Sequence, residues 1–335
     1  MHRLFIAVIC AAMVVSATAR ADEINVYSYR QPELIKPLFD AFTAETSIDV
    51  NVSFLKKGMI EKLQAEGDRS PADLIMTVDI SRLNGVVEAD VTQPVTSSVI
   101  NSNIPAEFRD PDGQWFGLTS RARIVYASKD RVADGEVTTY EDLASDKWKG
   151  RICIRSGTNA YNLALTSAVI AHHGKETAKG WLEGVKANLA RKPSGNDRAQ
   201  VKAIHAGECD ISVGNTYYMK KMLENEEQIA WAESVRIVFP TFSKGGTHVN
   251  LSGMALTKAA PNKDNAIKLM EWLTGNQAQA IYAEQNGEYP LNAGAEKSAL
   301  VKSWGEFNAD DKALIEIAKL RPASLKLVEQ VNFDE

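Results

Sequence analysis

Hydrophobic and polar residues alternate with two different periods along the first part of the chain. The run INVYSYR, which starts at Ile24, alternates as a half-buried strand does, and Pro32 then suits the first turn of a helix. The apolar residues of that helix recur at helical spacing: Leu34, Ile35, Leu38, Phe39 and Phe42. A second alternating run, IDVNVSFL, a helix over 59–65 and the buried run ADLIMTVD follow. This order predicts βαβ units and a mostly parallel sheet.

A second set of elements begins near Arg123. The runs RIVYAS, RICIRS and CDISVG are predicted strands, with helices between them over 159–172, 175–190 and 197–206. Another strand, VNLSGMALTK, precedes helices over 262–273 and 276–285, and residues 296–335 have a mainly helical pattern. Two α/β sets without a long flexible linker predict a two-lobed clamshell of the α/β class. Ligands of such sheets bind beyond the carboxyl ends of the strands, so the residues just after each strand are the functional candidates.

The N-terminal residues have the pattern of a secretory signal peptide. A basic start is followed by an apolar run over 4–15 and by Ala19-Arg20-Ala21, which fits an A-x-A cleavage site. The apolar run is short for a membrane span, so an N-terminal anchor is the less favoured alternative. We therefore predict a signal peptide over residues 1–21, a mature chain starting near Asp22, and export.

Charge and cysteine content narrow the class of protein further. The whole chain has a formal net charge of −5, and loss of Arg3 and Arg20 with the signal peptide makes the balance more acidic, which disfavours nucleic-acid binding.

Cleavage of the signal peptide also removes one of the three cysteines and leaves Cys153 and Cys209. Such a pair in an oxidising compartment suggests a disulfide, with two separate buried thiols as the alternative. No C-x-x-C spacing supports a cysteine metal site.

Three tyrosines follow predicted strands of the second set. Tyr217 and Tyr218 come directly after CDISVG, and Tyr161 comes after RICIRSGTNA. Adjacent helical residues point about 100° apart, so one apolar face cannot bury both members of the Tyr217-Tyr218 pair. Phenolates are hard oxygen ligands, and three of them would offset a 3+ charge, which favours Fe³⁺ over Mg²⁺, Ca²⁺ or Zn²⁺. Half-buried tyrosines with their hydroxyls at the surface are the alternative, and the spacing alone favours that alternative.

Candidate anion-binding groups lie on the opposite lip of the expected cleft. Arg30 and Gln31 follow the run VYSY, and GLTSRAR contributes Arg121 and Arg123. Guanidinium groups suit planar anions such as carbonate or carboxylates, although a structural salt bridge is an equal alternative for Arg123. The turn SGTN, residues 156–159, could bind an anion through its backbone N–H groups, or its Thr158 or Asn159 could simply cap a helix.

The enzyme motifs that we considered are absent from the sequence. It contains no G-x-S-x-G, H-E-x-x-H or Walker lysine motif, and the His172-His173 pair lies at a predicted helix end. Two alternatives to metal binding stay open. One is a binding protein of the same fold for an organic anion or a cation such as thiamine or a polyamine. The other is an exported hydrolase that uses Asp73 or Asp79.

Several segments resemble the periplasmic ferric-iron-binding proteins of bacterial ABC importers, the bacterial transferrins. The resemblance covers essentially the whole mature chain. It rests on VYSYRQP (26–32), SPADLIMTVD (70–79), WFGLTSRAR (115–123), RSGTNAYN (155–162) and GECDISVGNTYY (207–218). It implies a type II periplasmic-binding-protein clamshell with a two-strand hinge, Fe³⁺ as cargo, an inner-membrane ABC permease as partner, a monomeric state and a periplasmic location. The expected lobes are 22–120 plus 246–295 and 121–245 plus 296–335.

The resemblance also assigns site residues. Tyr161, Tyr217 and Tyr218 are implied to be the iron-binding phenolates. Some relatives place a histidine, a tyrosine or a glutamate where this chain has Gln31, Pro32 and Val78, and these three cannot bind iron in the same way. The chain thus resembles the branch in which three tyrosines and a synergistic anion such as carbonate or bicarbonate complete the shell. Residues implied to contact the anion or line the cleft are Arg30, Gln31, Arg121 and Tyr29.

Overall fold

The computed structural model describes residues 22–335, and the predicted signal peptide lies outside the described residues. The strands are β1 Glu23–Ser28, β2 Asp49–Phe54, β3 Leu74–Thr77, β4 Phe116–Ser128, β5 Ile152–Cys153, β6 Ile211–Asn215, β7 Val235–Val238, β8 Val249–Leu256 and β9 Tyr289–Pro290. The α-helices are α1 Pro32–Thr46, α2 Met59–Glu66, α3 Ile80–Glu88, α4 Ser98–Asn103, α5 Ala160–Ala187, α6 Asp197–His205, α7 Tyr217–Leu223, α8 Ile229–Glu233, α9 Lys263–Thr274, α10 Asn276–Asn286, α11 Ala299–Ser303, α12 Leu314–Lys319 and α13 Arg321–Gln330. Short 3₁₀ helices span Gly67–Arg69, Ala106–Phe108, Glu141–Ala144 and Asp146–Trp148.

The strands form a mixed sheet in the order β2-β1-β3-β8-β4-β6-β5, with β7 and β9 also paired to β4. β1 is parallel to both β2 and β3, and β5 is parallel to β6. β8 and β4, in contrast, run antiparallel to all the strands that they pair with. The two predicted α/β sets are therefore present, but the sheet is less parallel than predicted because two long antiparallel strands lie at its centre.

Strand β4 passes from one lobe to the other. Its first half pairs with β8 and β9, and its second half, from Arg123 onward, pairs with β6 and β7. β8 lies beside it and pairs with β3 on its other edge. These two strands are the ones at which the clamshell would hinge, and the lobe boundaries predicted at 120/121 and 245/246 lie in or beside them. Those boundaries stay a prediction.

Helix α5 is two helices joined at Gly174, as the sequence pattern indicated. Gly174 has φ of 79°, a left-handed backbone angle that glycine adopts without steric cost. The first half of α5 is buried along most of its length, because its residues 162–170 lie inside the second lobe. The kink separates this buried half from the second half of the helix, and the first turn of α5 reaches the cleft.

Apolar side chains of the helices cover both faces of the sheet. In the first lobe, Phe42 of α1 and Met270 of α9 pack with Ile24 and Leu74 of the strands. In the second lobe, Trp148 packs within a cluster that includes the first half of α5 and the helices α12 and α13. Within residues 22–335, no helix has both the length and the apolar character needed to cross a membrane.

A disulfide joins Cys153 of β5 to Cys209, which lies two residues before β6. The two Cα atoms are 5.8 Å apart and both residues are buried. β5 and β6 are adjacent parallel strands, so the bond ties together the two strands that lead into the tyrosine-bearing helices.

Candidate metal centre

The three tyrosines come together on one wall of the cleft. Tyr161 is the second residue of α5, and Tyr217 and Tyr218 are the first two residues of α7. The Tyr217 hydroxyl donates to the Tyr161 hydroxyl over 3.1 Å, and the rings of Tyr217 and Tyr218 have centroids 4.4 Å apart. The second lobe thus places three phenol groups side by side, although 56 positions separate Tyr161 from Tyr217.

The local structure explains this convergence. β5 and β6 are parallel, so the chain leaves both at the same edge of the sheet and enters α5 and α7 there. The Asn159 side chain caps α5 by accepting a hydrogen bond of 3.0 Å from the Tyr161 N–H. The Thr216 N–H donates to the Ala122 carbonyl of β4, which fixes the start of α7. Both helix starts are therefore held by specific hydrogen bonds.

Burial favours the protonated form of Tyr217 and Tyr218. Burial, and then the neighbouring Tyr161, raise the pKa of Tyr218 to about 12. Burial and the same neighbour raise the pKa of Tyr217 well above its ordinary value. A phenol with a raised pKa loses its proton at neutral pH only to a strongly polarising cation. A metal that binds through these two hydroxyls must therefore displace their protons.

The tyrosines face a cavity of about 330 Å³ that both lobes line. Its walls carry more cationic than anionic side chains. The lining residues are Tyr29, Arg30, Gln31, Leu34, Phe54, Val78, Arg121, Tyr161, Asn196, Arg198, Tyr217, Tyr218, Lys221 and Glu288. The candidate residues from the first lobe and from the second lobe thus border the same space.

Arg30 is held by a buried carboxylate on the floor of this cavity. It lies 3.0 Å from Glu288, donates to Asn286 over 2.9 Å and also bonds Ser252. Burial favours the neutral acid, but the attraction of Arg30, and then of Arg121, outweighs it and holds the pKa of Glu288 below its usual value. The charge of Arg30 is therefore largely balanced within the protein. Gln31, by contrast, is exposed at the rim.

Arg121 is a buried cation of a different kind. Its side chain is only 2% exposed, and it donates to the Val78 carbonyl and to Ser252. Among residues 22–335, no carboxylate lies within ion-pair distance of it, and its Nε, like those of Arg30 and Arg123, has no hydrogen-bond partner. Glu288, whose pKa Arg121 helps to lower, offsets this buried charge only in part, because Glu288 also pairs with Arg30, so this position favours a bound anion.

Arg123 has a supporting place beneath the tyrosines. Its guanidinium lies 3.2 Å from the buried Asp197 and also bonds Asn162 and Asn215. Arg155 pairs with the same carboxylate and lies over the Tyr161 ring, 5.3 Å from its centroid. Arg123 therefore forms a buried salt bridge, which is one of the two roles that the sequence allowed for it.

Tyr29 lines the cavity without joining the phenol cluster. Its hydroxyl accepts a hydrogen bond of 3.4 Å from the Met59 N–H, and Arg82 stacks on its ring at 4.1 Å. Three charged residues of the cavity wall, Arg198, Lys221 and Glu288, and the polar Asn196 were missed in the sequence. The position of Lys221, one helical turn after Tyr217, was the only local signal for any of them.

The residues suggested for hydrolysis have structural contacts. Asp73 accepts from the backbone N–H groups of Asn25 and Asn262, and Asp79 caps α3 through the Ser81 N–H. The histidine pair pairs with acids outside the cavity, His172 with Asp310 and His173 with Glu141. In the part of the chain that the structure describes, no cluster of His, Cys, Asp and Glu forms an alternative metal site.

Comparison with known proteins defines the class. Residues 69–309 match the family described as bacterial extracellular solute-binding proteins. The curated iron uptake protein A1 of Synechocystis is 41% identical over 96% of this chain and 90% of its own length. The chain therefore belongs to the bacterial extracellular solute-binding protein family. Its relatives are named for iron uptake and iron binding, not as enzymes.

Solved structures give the same assignment. The ferric iron-binding protein A of Mannheimia haemolytica, in an open conformation, has a TM-score of 0.90 and 53% identity, covering 94% of this chain and 100% of that one. A Trichodesmium protein solved with iron and citrate has a TM-score of 0.89 and 42% identity, covering 93% of this chain and 99% of that one. The two-lobed fold is thus shared over almost the full described chain.

Proposed function

We propose that this protein captures Fe³⁺ in the periplasm and delivers it to an ABC permease in the inner membrane. The single observation that carries the proposal is the convergence of Tyr161, Tyr217 and Tyr218 at the wall of an interlobe cavity. Its setting is an extracellular solute-binding protein whose relatives from Synechocystis and Mannheimia are named for iron uptake and ferric iron binding. The three hydroxyls are the proposed ligand atoms.

A synergistic anion is the second part of the proposal. Three phenolates neutralise Fe³⁺, and Glu288 balances Arg30. Arg121, Arg198 and Lys221 line the same cavity, and none of them forms an ion pair within residues 22–335. Carbonate, bicarbonate or another small anion would balance this charge and fill coordination positions that the tyrosines leave open. Arg121, with Arg30 beside it and Gln31 at the rim, is the proposed anion contact.

Closure of the lobes over the metal, and opening at the permease, account for capture and release. Loss of the anion or reduction to Fe²⁺ would weaken the phenolate bonds, because a 2+ ion polarises a high-pKa phenol less strongly. The proposed lobes are 22–120 plus 246–295 and 121–245 plus 296–335, with β4 and β8 between them.

The direct test is titration of the metal-free protein with ferric nitrilotriacetate, with and without bicarbonate. We expect one equivalent of iron to bind and a visible phenolate-to-iron charge-transfer band to appear. We also expect tighter binding when bicarbonate or citrate is present. A protein that takes up no iron, or takes it up without this band, would contradict the proposal.

Replacement of Arg121 tests the anion site. Arg121→Gln removes the buried charge while keeping a hydrogen-bonding side chain, so we expect the anion-dependent gain in Fe³⁺ affinity to fall by about 10-fold, the value of one charge-assisted hydrogen bond. The measurement is the titration above at several bicarbonate concentrations. Arg69→Gln, which removes an exposed cation outside the cavity lining, is the control. An unchanged anion dependence in Arg121→Gln would refute this role.

A further inference from the structure

The turn before α5 is occupied by a carboxylate of the protein itself. One oxygen of Asp334 accepts a hydrogen bond of 2.7 Å from the Gly157 N–H, and the other accepts from the Ser156 hydroxyl. The sequence marked this turn as a place where backbone N–H groups could bind an anion. Asp334, 177 positions along the chain from Gly157, supplies that anion internally.

The residues next to Asp334 are also held in place, by burial and by hydrogen bonds. Phe333 is only 2% exposed and lies against Gly157, where an added Cβ would come within 2.7 Å of the Phe333 ring. The Lys186 ammonium donates to the carbonyls of Val331 and Asn332, over 3.1 and 2.6 Å. The segment 331–334 is therefore fixed at both of its ends, and only glycine fits at position 157.

A further contact ties α13 to the middle of α5. The Ser167 hydroxyl donates to the Ser324 hydroxyl over 3.1 Å, and Ser324 in turn donates to the Leu163 carbonyl. α13 therefore runs beside α5 and is anchored along it. Asp334 is the contact of this assembly that reaches the first turn of α5.

This first turn carries only one of the three proposed ligands. Tyr161 follows Gly157 by four positions and shares its turn with the capping residue Asn159. Tyr217 and Tyr218 belong to α7, which Asp334 does not touch. The position of the α5 start relative to the α7 start determines whether the Tyr161 and Tyr217 oxygens stay at 3.1 Å. Asp334 contacts the α5 side of that geometry, next to the bonds that Asn159 and Asn162 make in the same turn.

We propose that Asp334 is a positioning residue for Fe³⁺ binding, which holds the first turn of α5 so that Tyr161 meets the ion together with Tyr217 and Tyr218. The inference rests on the proposed function, because it concerns the same metal centre. Partners that orient a metal ligand typically change metal affinity by about 10- to 100-fold when they are replaced. For Asp334→Ala we expect a loss at the lower end, about 10-fold.

A double-mutant cycle tests this route through Tyr161. Fe³⁺ affinity is measured by competition with nitrilotriacetate for the wild type, Asp334→Ala, Tyr161→Phe and the double variant. We expect Asp334→Ala to weaken binding about 10-fold in the wild type and less than about 2-fold beside Tyr161→Phe, because coupled residues are not additive. Equal losses in both backgrounds, or no loss in the wild type, would overturn the proposal. Should the alanine variant fail to fold, Asp334→Asn replaces it in the same cycle.

Two further measurements separate this inference from the proposed function. Glu335→Gln removes one charge at the exposed neighbouring position and should leave iron affinity unchanged. In the metal-free protein, Asp334→Ala should speed amide hydrogen exchange over residues 157–161 and leave residues 217–221 unchanged. Unchanged exchange over 157–161 would contradict the positioning role without touching the iron assignment. A wild-type protein that binds no Fe³⁺ would remove both.

Discussion

Tyr217→Phe is expected to weaken Fe³⁺ binding by more than about 100-fold, or about 2.7 kcal/mol. Replacing residues that only orient a metal ligand already costs about 10- to 100-fold, and this variant removes a proposed ligand oxygen itself. The buried ring and its contact with Tyr218 are kept, so the fold should survive. The measurement is competition with nitrilotriacetate, together with the intensity of the charge-transfer band.

The result for Tyr217→Phe can be compared with a matched control variant and with the result expected of an organic-cation-binding protein. Tyr27→Phe removes a hydroxyl that binds Glu66 outside the cavity, and iron affinity should not change. A protein that binds an organic cation would use the tyrosine faces rather than the oxygens, so its affinity would survive Tyr217→Phe. Retention of full iron affinity in Tyr217→Phe would contradict the three-phenolate centre.

Loss of the Cys153–Cys209 disulfide is expected to destabilise the second lobe by about 4 kcal/mol, because the bond closes a loop of 56 positions in the unfolded chain. The measurement is urea denaturation of the wild type, oxidised and reduced, followed by tryptophan fluorescence. The double variant Cys153→Ala, Cys209→Ala should resemble the reduced wild type, with a small extra loss from the missing sulfur atoms. Equal midpoints for oxidised and reduced protein would show that the bond contributes nothing.

The same bond should also influence iron binding, in a smaller and separable way. It joins the strands that lead into α5 and α7, whose first residues are the proposed ligands. Reduction of the bond under conditions in which the protein stays folded should therefore raise the iron dissociation rate. The wavelength of the charge-transfer band should stay the same, because the ligand atoms do not change.

Local patterns predicted most elements, because strand and helix periods depend on neighbouring residues. The helices near 32–46, 197–206 and 262–273 and the kinked α5 follow directly from such periods. The first half of β4 was missed, since its run FGLTSRA mixes apolar residues with Thr, Ser and Arg. Those polar residues are buried only because distant partners satisfy them: Thr119, for instance, bonds Glu288. The short strands β7 and β9 also depend on β4 for their pairing.

The site residues also fall into two groups, those that a local sequence pattern can indicate and those that it cannot. Tyr217 and Tyr218 could be singled out because they adjoin a recognisable strand end, and Tyr161 because it follows another. Glu288 could not be found, since its pairing with Arg30 spans 258 positions and no local period reports such a contact. For the same reason, the sequence could not show that Arg30 is already paired while Arg121 is not.

The register of β4 limits which insertions and deletions this strand can accept. Arg121 and Arg123 project from the same side of one strand, and the hydrogen bonds of that strand continue without a break from the β8 pairing into the β6 pairing. One inserted or deleted residue between them would send one guanidinium to the opposite face. This stretch should therefore tolerate exchanges of side chain far better than any change of length.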